Sequence, residues 1–225
     1  MAMTMRDLVR TSSLAQQFGV KAIVYSGPGY GKTPLLTTAP SPVICFSEPG
    51  FKSVSTWDGP AYPAFTYGRI KDFLMWAIGS QEARQFGTFC FDSVSQMAEI
   101  ILSEEMPKHK DPRKAYGELS LKMMELMNWI YFAPGFNCLM IAKEDIKTDD
   151  NKYRPYFPGK DLNIKIPHLF DSVWRIEEQK NLANNTTQRV MRTRESFEAF
   201  ARDRSGKLAE IEPADINYLF AKSIQ

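Results

Sequence analysis

The sequence predicts an α/β fold in which a mostly parallel central sheet is flanked by helices and ends in an antiparallel C-terminal edge. Three observations support this prediction. Short apolar runs alternate with segments of helical periodicity through the first two thirds of the chain, which is typical of parallel sheets with crossover helices. A glycine-rich turn joins the first apolar run to the first helical segment. Segments of alternating polarity follow in the last third, and this pattern favours antiparallel strands at one edge.

Each element can be justified in chain order. Short apolar runs predict four buried strands, at 20–25, 42–46, 87–91 and 136–142. Apolar residues on one helical face predict helices at 32–38, 68–78, 94–106 and 115–131. Two stretches carry Pro, Gly or mixed charges without a clear period and are predicted as loops, at 51–66 and, as a long mobile loop, at 143–160. Three short strands and a closing helix complete the prediction, at 172–177, 189–193, 200–204 and 215–224.

Length and composition indicate a single sizeable domain. The chain has 225 residues, of which 44% are hydrophobic and 24% are charged, an ordinary globular balance. A chain of this length buries a large core without a disulfide or a structural metal. We therefore expect one domain over residues 20–225, preceded by a short lead-in at 1–19. The 28 Lys and Arg against 26 Asp and Glu exclude a histone-like polycation but leave room for local basic patches.

The cysteines and histidines exclude several kinds of site. Cys45, Cys90 and Cys138 each lie inside an apolar run and lack CxxC spacing, so buried core thiols are expected rather than a disulfide framework or a zinc site. His109 and His168 are the only histidines, which excludes a polyhistidine metal centre. The sequence has no signal-type apolar segment and no run near the ~18 apolar residues of a membrane span. A cytoplasmic protein with no membrane partner is expected.

Residues 26–33, which read SGPGYGKT, form the most specific motif and predict a nucleotide site. They follow an apolar strand and precede a helix, which is the context that a phosphate loop requires. Glycines let successive backbone N–H groups turn towards a phosphate. Lys32 is expected to reach the β- and γ-phosphates of ATP, and Thr33 to hold Mg²⁺ through its hydroxyl. The residues assigned to this phosphate loop are Ser26, in place of the usual first Gly, then Gly27, Pro28, Gly29, Tyr30, Gly31, Lys32 and Thr33.

Two carboxylates at strand ends complete the predicted site. Asp92 ends the third apolar run, and the carboxyl ends of parallel strands gather beside the phosphate loop. Asp92 is therefore assigned to nucleotide binding and to Mg²⁺ or its waters, with helix capping as the alternative. The next residue is Ser93, so the carboxylate that activates water must come from elsewhere. Glu48, at the end of the second run, is the candidate general base, and a solvated turn residue is the alternative.

Taken in order, these pieces resemble the RecA-core ATPases. The closer resemblance is to small phage-encoded RecA-core proteins, a group of AAA-domain nucleotide-binding or single-strand annealing proteins. The matching segments run from the phosphate loop through 46–50, 89–93, 139–144, 158–160, 171–175 and 202–206. This resemblance implies an ATPase that works on single-stranded DNA in phage recombination, annealing or replication, in the host cytoplasm. It also implies a homo-oligomer, as a ring or a filament, and a single-strand-binding or other replication protein as a candidate partner.

The same resemblance assigns a role to two late arginines. In RecA-type assemblies, two cations spaced by two residues on a late strand reach the γ-phosphate bound by the neighbouring subunit. Arg202 and Arg204 have this spacing, which places both on one face of a strand. They are the candidate catalytic fingers acting in trans. The alternative is a solvated basic strand that pairs with Asp203 and Glu198.

The resemblance also directs attention to the segment after the fourth strand, which faces DNA in the family. Cations and aromatic side chains alternate in this segment, as on surfaces that track a backbone and stack on bases. The candidate DNA-binding residues are Lys147, Lys152, Arg154, Tyr156 and Lys160. Four acidic residues offset their charge, so a solvated loop is the alternative.

Two other functions remain open on sequence grounds. One is a nucleotide-gated loader or switch that binds ATP and scarcely hydrolyses it. The other is a metabolic P-loop kinase, which usually carries an arginine-rich lid and a compact acceptor pocket. Neither of these kinase features is clear in the sequence.

Overall fold

The computed structural model describes residues 8–146, 150–181 and 185–224. The α-helices of this part of the chain are α1 Thr11–Phe18, α2 Lys32–Leu36, α3 Tyr67–Gly79, α4 Val94–Glu105, α5 Pro112–Phe132, α6 Lys160–Leu169 and α7 Ile216–Ile224. The strands are β1 Lys21–Tyr25, β2 Pro42–Phe46, β3 Ala61–Pro63, β4 Thr88–Asp92, β5 Asn137–Ala142, β6 Glu144–Ile146, β7 Tyr153–Pro155, β8 Ser172–Asn181, β9 Thr186–Arg192, β10 Arg202–Asp203 and β11 Ile211–Pro213. No helix among these residues is long and apolar enough to cross a membrane.

The strands form one central sheet in the order β11-β9-β8-β1-β5-β4-β2-β3, with β10 beside β8. Six strands of this order pair with one another in parallel, namely β8, β1, β5, β4, β2 and β3. Strands β9 and β10 each pair antiparallel with β8, and β11 pairs antiparallel with β9. The predicted fold class is confirmed, because the sheet is mostly parallel, has helices packed against it and ends in an antiparallel C-terminal edge.

The apolar runs form strands because both faces of the sheet are covered. Every residue of β1 and β4 is buried. Alternate side chains of β1 point to opposite layers: Ile23 packs with α3, α4, α5 and α6, while Ala22 and Val24 pack with α2 and α7. The three cysteines are free and buried, as the sequence predicts. Met123 and Met127 of α5 are fully buried in the first of these layers.

The register of the parallel strands brings their carboxyl ends to one edge, here called the carboxyl edge. Tyr25 of β1 is opposite Ala142 of β5, and Phe46 of β2 is opposite Asp92 of β4. Strand β5 lies between β1 and β4. The turns that follow β1, β2 and β4 therefore open at the same edge, as the prediction of a nucleotide site requires.

Two segments predicted as loops contain regular structure. The prediction of a long mobile loop at 143–160 is wrong for its described part, since β6 and β7 pair as a short antiparallel hairpin and Lys160 begins α6. Residues 51–66 include most of a 3₁₀ helix that spans Gly50–Val54, and they also include the edge strand β3. Strands of three residues are too short to show a polarity period, so sequence patterns miss them.

Strand β8 changes partners along its length. Its first residues pair in parallel with β1, up to Arg175 opposite Tyr25. Beyond the end of β1 it continues to Asn181 and pairs antiparallel with β9. The outer part of this β8–β9 hairpin therefore extends past the carboxyl edge, on the side of the phosphate loop.

Candidate nucleotide-binding site

The phosphate loop connects β1 directly to α2 and is shaped by two glycines. Gly29 and Gly31 have φ angles of 84° and 80°, which L side chains rarely adopt. The Nζ of Lys32 donates to the carbonyl oxygens of Ser26, at 2.8 Å, and Gly27, at 2.7 Å. Lys32 is thus folded back over the loop. Ser26 is 1% exposed at the position where a glycine is usual, so this replacement is accommodated in the interior.

A hydroxyl and a carboxylate meet beside the loop. The Oγ1 of Thr33 donates to Oδ2 of Asp92 at 2.5 Å. A Cβ on Gly50 would lie 3.4 Å from each of these two oxygens, so Gly50 leaves the space in front of them open. Hydroxyl and carboxylate oxygens are ligands that Mg²⁺ prefers. These two residues, predicted from sequence as metal ligands, are brought together by the fold.

Glu48 is positioned by hydrogen bonds between two strand ends. The Oγ of Ser47 donates to the carbonyl of Ser93 at 2.9 Å and accepts from the Ser93 N–H at 3.0 Å. Ser93 also caps α4 by accepting from the N–H of Gln96. Glu48, the next residue after Ser47, is half-buried, and its side chain makes no hydrogen bond or ion pair with the described residues. Its carboxylate is therefore not committed to another side chain of this part of the protein.

The carboxylates and Lys32 share one electrostatic environment. Burial raises the pKa of Asp92 from 3.8 to about 6, although the Thr33 hydrogen bond lowers it and Glu48 raises it further. Burial lowers the pKa of Lys32, while Asp92, Glu144 and Glu48 act in the opposite direction. The carboxylates of Asp92 and Glu48 thus act on each other and on Lys32 at this edge.

Replacing Asp92 with asparagine is expected to stabilise the metal-free protein. Because the folded-state pKa is about 6 and the ordinary value is 3.8, ionisation of Asp92 opposes folding by about 3 kcal/mol above pH 6. This penalty grows as the pH rises from about 4 to 6 and is absent below that range. Thermal unfolding in EDTA should therefore show a higher midpoint for the variant at neutral pH and no difference in acid.

Asp72→Asn is the matched control, since Asp72 is exposed on α3. A variant at Asp92 that is no more stable than the native chain at neutral pH would contradict the raised pKa.

Two residues next to the loop were not predicted as site residues. Glu144, at the start of β6, would lie 3.6 Å from a Cβ on Gly27. Its Oε2 accepts from Nε of Arg175 at 2.7 Å, in an ion pair whose side chains are only 11% and 13% exposed. The sequence offered only their position as a signal, because Glu144 and Arg175 each follow the apolar part of a strand. Their pairing between distant segments could not be read from the sequence.

The candidate fingers Arg202 and Arg204 lie at the opposite edge of the sheet from the loop of their own chain. Arg202 is opposite Val173, near the start of β8. Its guanidinium donates to the carbonyls of Pro167 and Phe170, both at 2.6 Å. Arg204 donates to the carbonyl of His168. Both arginines therefore bind the carboxyl end of α6 in their own chain, and a role in trans stays a prediction.

The candidate DNA-binding residues have different surroundings. Lys147 lies outside the described residues. Lys152 pairs with Glu195 at 2.6 Å, and Arg154 pairs with Asp150. Tyr156 is half-buried and Lys160 is exposed at the start of α6.

The aromatic residues between these cations are mostly engaged. Phe157 is buried, and the ring of Tyr153 lies 4.1 Å from the guanidinium carbon of Arg175. Base stacking by these two rings would need them to leave their present contacts.

Comparison with known proteins assigns the chain to a family. None of the curated proteins matches the sequence. Among solved structures, the chain is similar to a KaiC-like protein from the hyperthermophilic archaeon Pyrococcus horikoshii OT3, with 16% identity, a TM-score of 0.41 and coverage of 77% of this chain and 78% of that chain. It is also similar to the RadB recombinase, with 13% identity, a TM-score of 0.47 and coverage of 78% and 80%. A family model described as an AAA domain matches residues 19–205. Because this family model covers most of the sequence, the chain belongs to the AAA domain family.

Proposed function

We propose that this protein hydrolyses ATP in a Mg²⁺-dependent reaction, and that it does so as an assembly of copies on single-stranded DNA. The observation that carries the hydrolysis is the convergence of three groups at the carboxyl edge. These are the inward Lys32, the Thr33–Asp92 pair at 2.5 Å, and the unpaired carboxylate of Glu48. Each supplies one requirement of phosphoryl transfer to water.

The residues divide the work of the reaction. The backbone N–H groups of the loop and the Nζ of Lys32 hold the β- and γ-phosphates and stabilise the charge that develops on them. Thr33 and Asp92 are the residues that would hold Mg²⁺, which neutralises phosphate charge when it is bound. Glu48 takes a proton from water while the water oxygen bonds to the γ-phosphorus and the bond to the β-phosphate oxygen breaks. The products are ADP and inorganic phosphate.

Assembly into oligomers is supported by the placement of two arginines. Arg202 and Arg204 lie at the edge of the sheet opposite the phosphate loop. They can reach a phosphate only in a second copy, and their hydrogen bonds to α6 must be exchanged for that contact. Together with the resemblance to RecA-core proteins, this supports fingers acting in trans within a ring or filament.

The DNA part of the proposal rests on the resemblance and on the β6–β7 hairpin with the adjoining start of α6. This region carries Lys152, Arg154 and the exposed Lys160 next to the carboxyl edge. Because Lys152 and Arg154 are already paired with carboxylates, DNA phosphates must replace Glu195 and Asp150 as their partners. A role in phage recombination, annealing or replication, in the host cytoplasm and beside a single-strand-binding protein, follows from the same resemblance.

ATP turnover is expected to rise several-fold with single-stranded DNA and to lose this stimulation when Lys160 is replaced by alanine. The stimulation should fall steeply with salt, since Lys160 and its neighbours act on phosphates. Arg84→Ala is the control, because Arg84 is exposed and makes no ion pair with the described residues. Phosphate release with and without DNA, at several salt concentrations, provides the measurement. If ATP turnover does not depend on DNA at any salt concentration, the proposed action on DNA is contradicted and the proposed ATPase activity is not.

One observation favours phosphoryl transfer to a small acceptor as a second candidate. A cavity of about 440 Å³ lies beside Tyr30 and is lined by Arg175 and Arg192 of the β8–β9 hairpin. Both arginines are paired with Glu177, at 3.1 and 2.7 Å, so little cationic capacity is left for an acceptor phosphate. Detection of a phosphorylated small molecule in place of free phosphate would establish the kinase reaction.

A further inference from the structure

An arginine of the β8–β9 hairpin lies against the phosphate loop of its own chain. Arg189 is on β9, opposite Glu178 of β8, in the part of the hairpin that extends past the end of β1. A Cβ on Gly31 would collide with Nη1 of Arg189 and would lie 2.8 Å from its Cζ. The guanidinium therefore occupies the space that the missing side chain of Gly31 leaves open.

Arg189 differs from the other arginines of this hairpin because its side chain pairs with no residue in the described part of the chain. Arg175 pairs with Glu144, and Arg192 pairs with Glu177 and Glu210. Arg189 is exposed, and its side chain makes no hydrogen bond or ion pair with the described residues. Glu178 is directly opposite in the register and yet forms no ion pair with it. An available carboxylate is thus left unpaired while the guanidinium rests on the loop.

This arrangement suits the recognition of an anion bound by the loop. A guanidinium presents five N–H donors in a planar fork that matches phosphate oxygens, and it is more weakly hydrated than an ammonium group. Gly31 directly precedes Lys32, whose amine reaches over the loop from the same end. The amine itself lies at the carbonyls of Ser26 and Gly27, the end of the loop that Glu144 also approaches. At the end where α2 begins, Arg189 supplies the positive charge.

We propose that Arg189 binds the nucleotide of its own chain, through the phosphates that ADP and ATP have in common. The inference rests on the proposed function, since it takes the loop to hold a nucleoside di- or triphosphate. It adds a cation supplied in cis by the β8–β9 hairpin, separate from the trans role expected for Arg202 and Arg204. The hairpin thereby becomes part of the nucleotide site.

The test is equilibrium binding of ADP and of a non-hydrolysable ATP analogue to the full chain. Arg189→Ala is expected to weaken the binding affinity for both nucleotides by about tenfold or more, because charge-assisted hydrogen bonds to phosphate are lost. Arg189→Lys should restore part of the affinity by keeping the charge. Lys180→Ala is the matched control, since Lys180 is an exposed cation on the same hairpin. Unchanged affinity in Arg189→Ala, or a loss confined to the ATP analogue, would overturn the proposal.

A second measurement uses the native protein and so does not depend on a variant folding. Phenylglyoxal modifies accessible arginines, and mass spectrometry locates the label. Labelling of Arg189 should fall when ADP is present, while labelling of the exposed Arg84 should not change. Equal labelling of Arg189 with and without saturating ADP would overturn the proposal. A native chain that binds nucleotide without turnover would contradict the proposed ATPase and leave the role of Arg189 intact.

Discussion

Replacement of Lys32 by alanine is expected to reduce ATP turnover by at least about 100-fold, the scale on which an enzyme loses a preorganised donor to a developing charge. The Nζ of Lys32 is held between the carbonyls of Ser26 and Gly27 and is therefore already directed over the loop. Without it, the negative charge on the β- and γ-phosphates is met by backbone N–H groups alone. Phosphate release under saturating ATP and Mg²⁺ measures the effect.

Two further variants separate loss of charge from loss of fold. Lys110→Ala removes an exposed lysine far along the chain from the site and should retain full turnover. Lys32→Arg keeps the charge but should still be impaired, because a guanidinium is larger and planar and does not reproduce the contacts of an ammonium group. Turnover in Lys32→Ala within about twofold of the native rate would show that this loop is not the site of hydrolysis.

Replacement of Glu48 by glutamine is expected to lower kcat by roughly 10²- to 10⁴-fold, the usual contribution of a general base. Nucleotide affinity should be nearly unchanged, since the Glu48 side chain makes no hydrogen bond or ion pair with the described residues and is assigned no contact with the phosphates. Loss of its negative charge should also lower the pKa of Asp92, on which Glu48 acts. Single-turnover hydrolysis and equilibrium binding measured together resolve kcat from affinity.

Glu144→Gln is the informative comparison for this variant. Glu144 also lies beside the loop, but its carboxylate is committed to Arg175 at 2.7 Å. A larger fall in kcat for Glu144→Gln than for Glu48→Gln would transfer the role of general base to Glu144. Negligible turnover in the native chain that Glu48→Gln leaves unchanged would favour a nucleotide-gated switch. Glu82→Gln, at an exposed position, controls for the removal of one charge.

The parts of the fold that could be predicted from sequence are those that a single apolar run specifies. Strands β1, β2, β4 and β5 are buried on both faces, so their residue types alone define them. Helix α6 was missed because its segment carries mixed charges and contains Pro167. The β6–β7 hairpin was missed because three-residue strands carry no readable period. Such elements depend on tertiary contacts, which a local pattern does not contain.

The same distinction applies to the site. The phosphate loop, Glu48 and Asp92 could be located because they lie at or just after the ends of predictable strands, whose carboxyl ends must share an edge. Glu144, Arg175 and Arg189 come from segments whose path depends on the β6–β7 and β8–β9 hairpins. Their contacts join residues far apart in the chain, and only the register of those hairpins decides which side chains meet.

Tyr25 connects the nucleotide site mechanically to the candidate DNA surface. It is the last residue of β1, and the next residue begins the phosphate loop. Its buried hydroxyl donates towards the carbonyls of Tyr153, at 3.0 Å, and Phe200, at 2.6 Å. The start of the loop and the β6–β7 hairpin are therefore joined through one buried hydroxyl. A displacement of the end of β1 would be transmitted to strand β7 with no flexible linker in between.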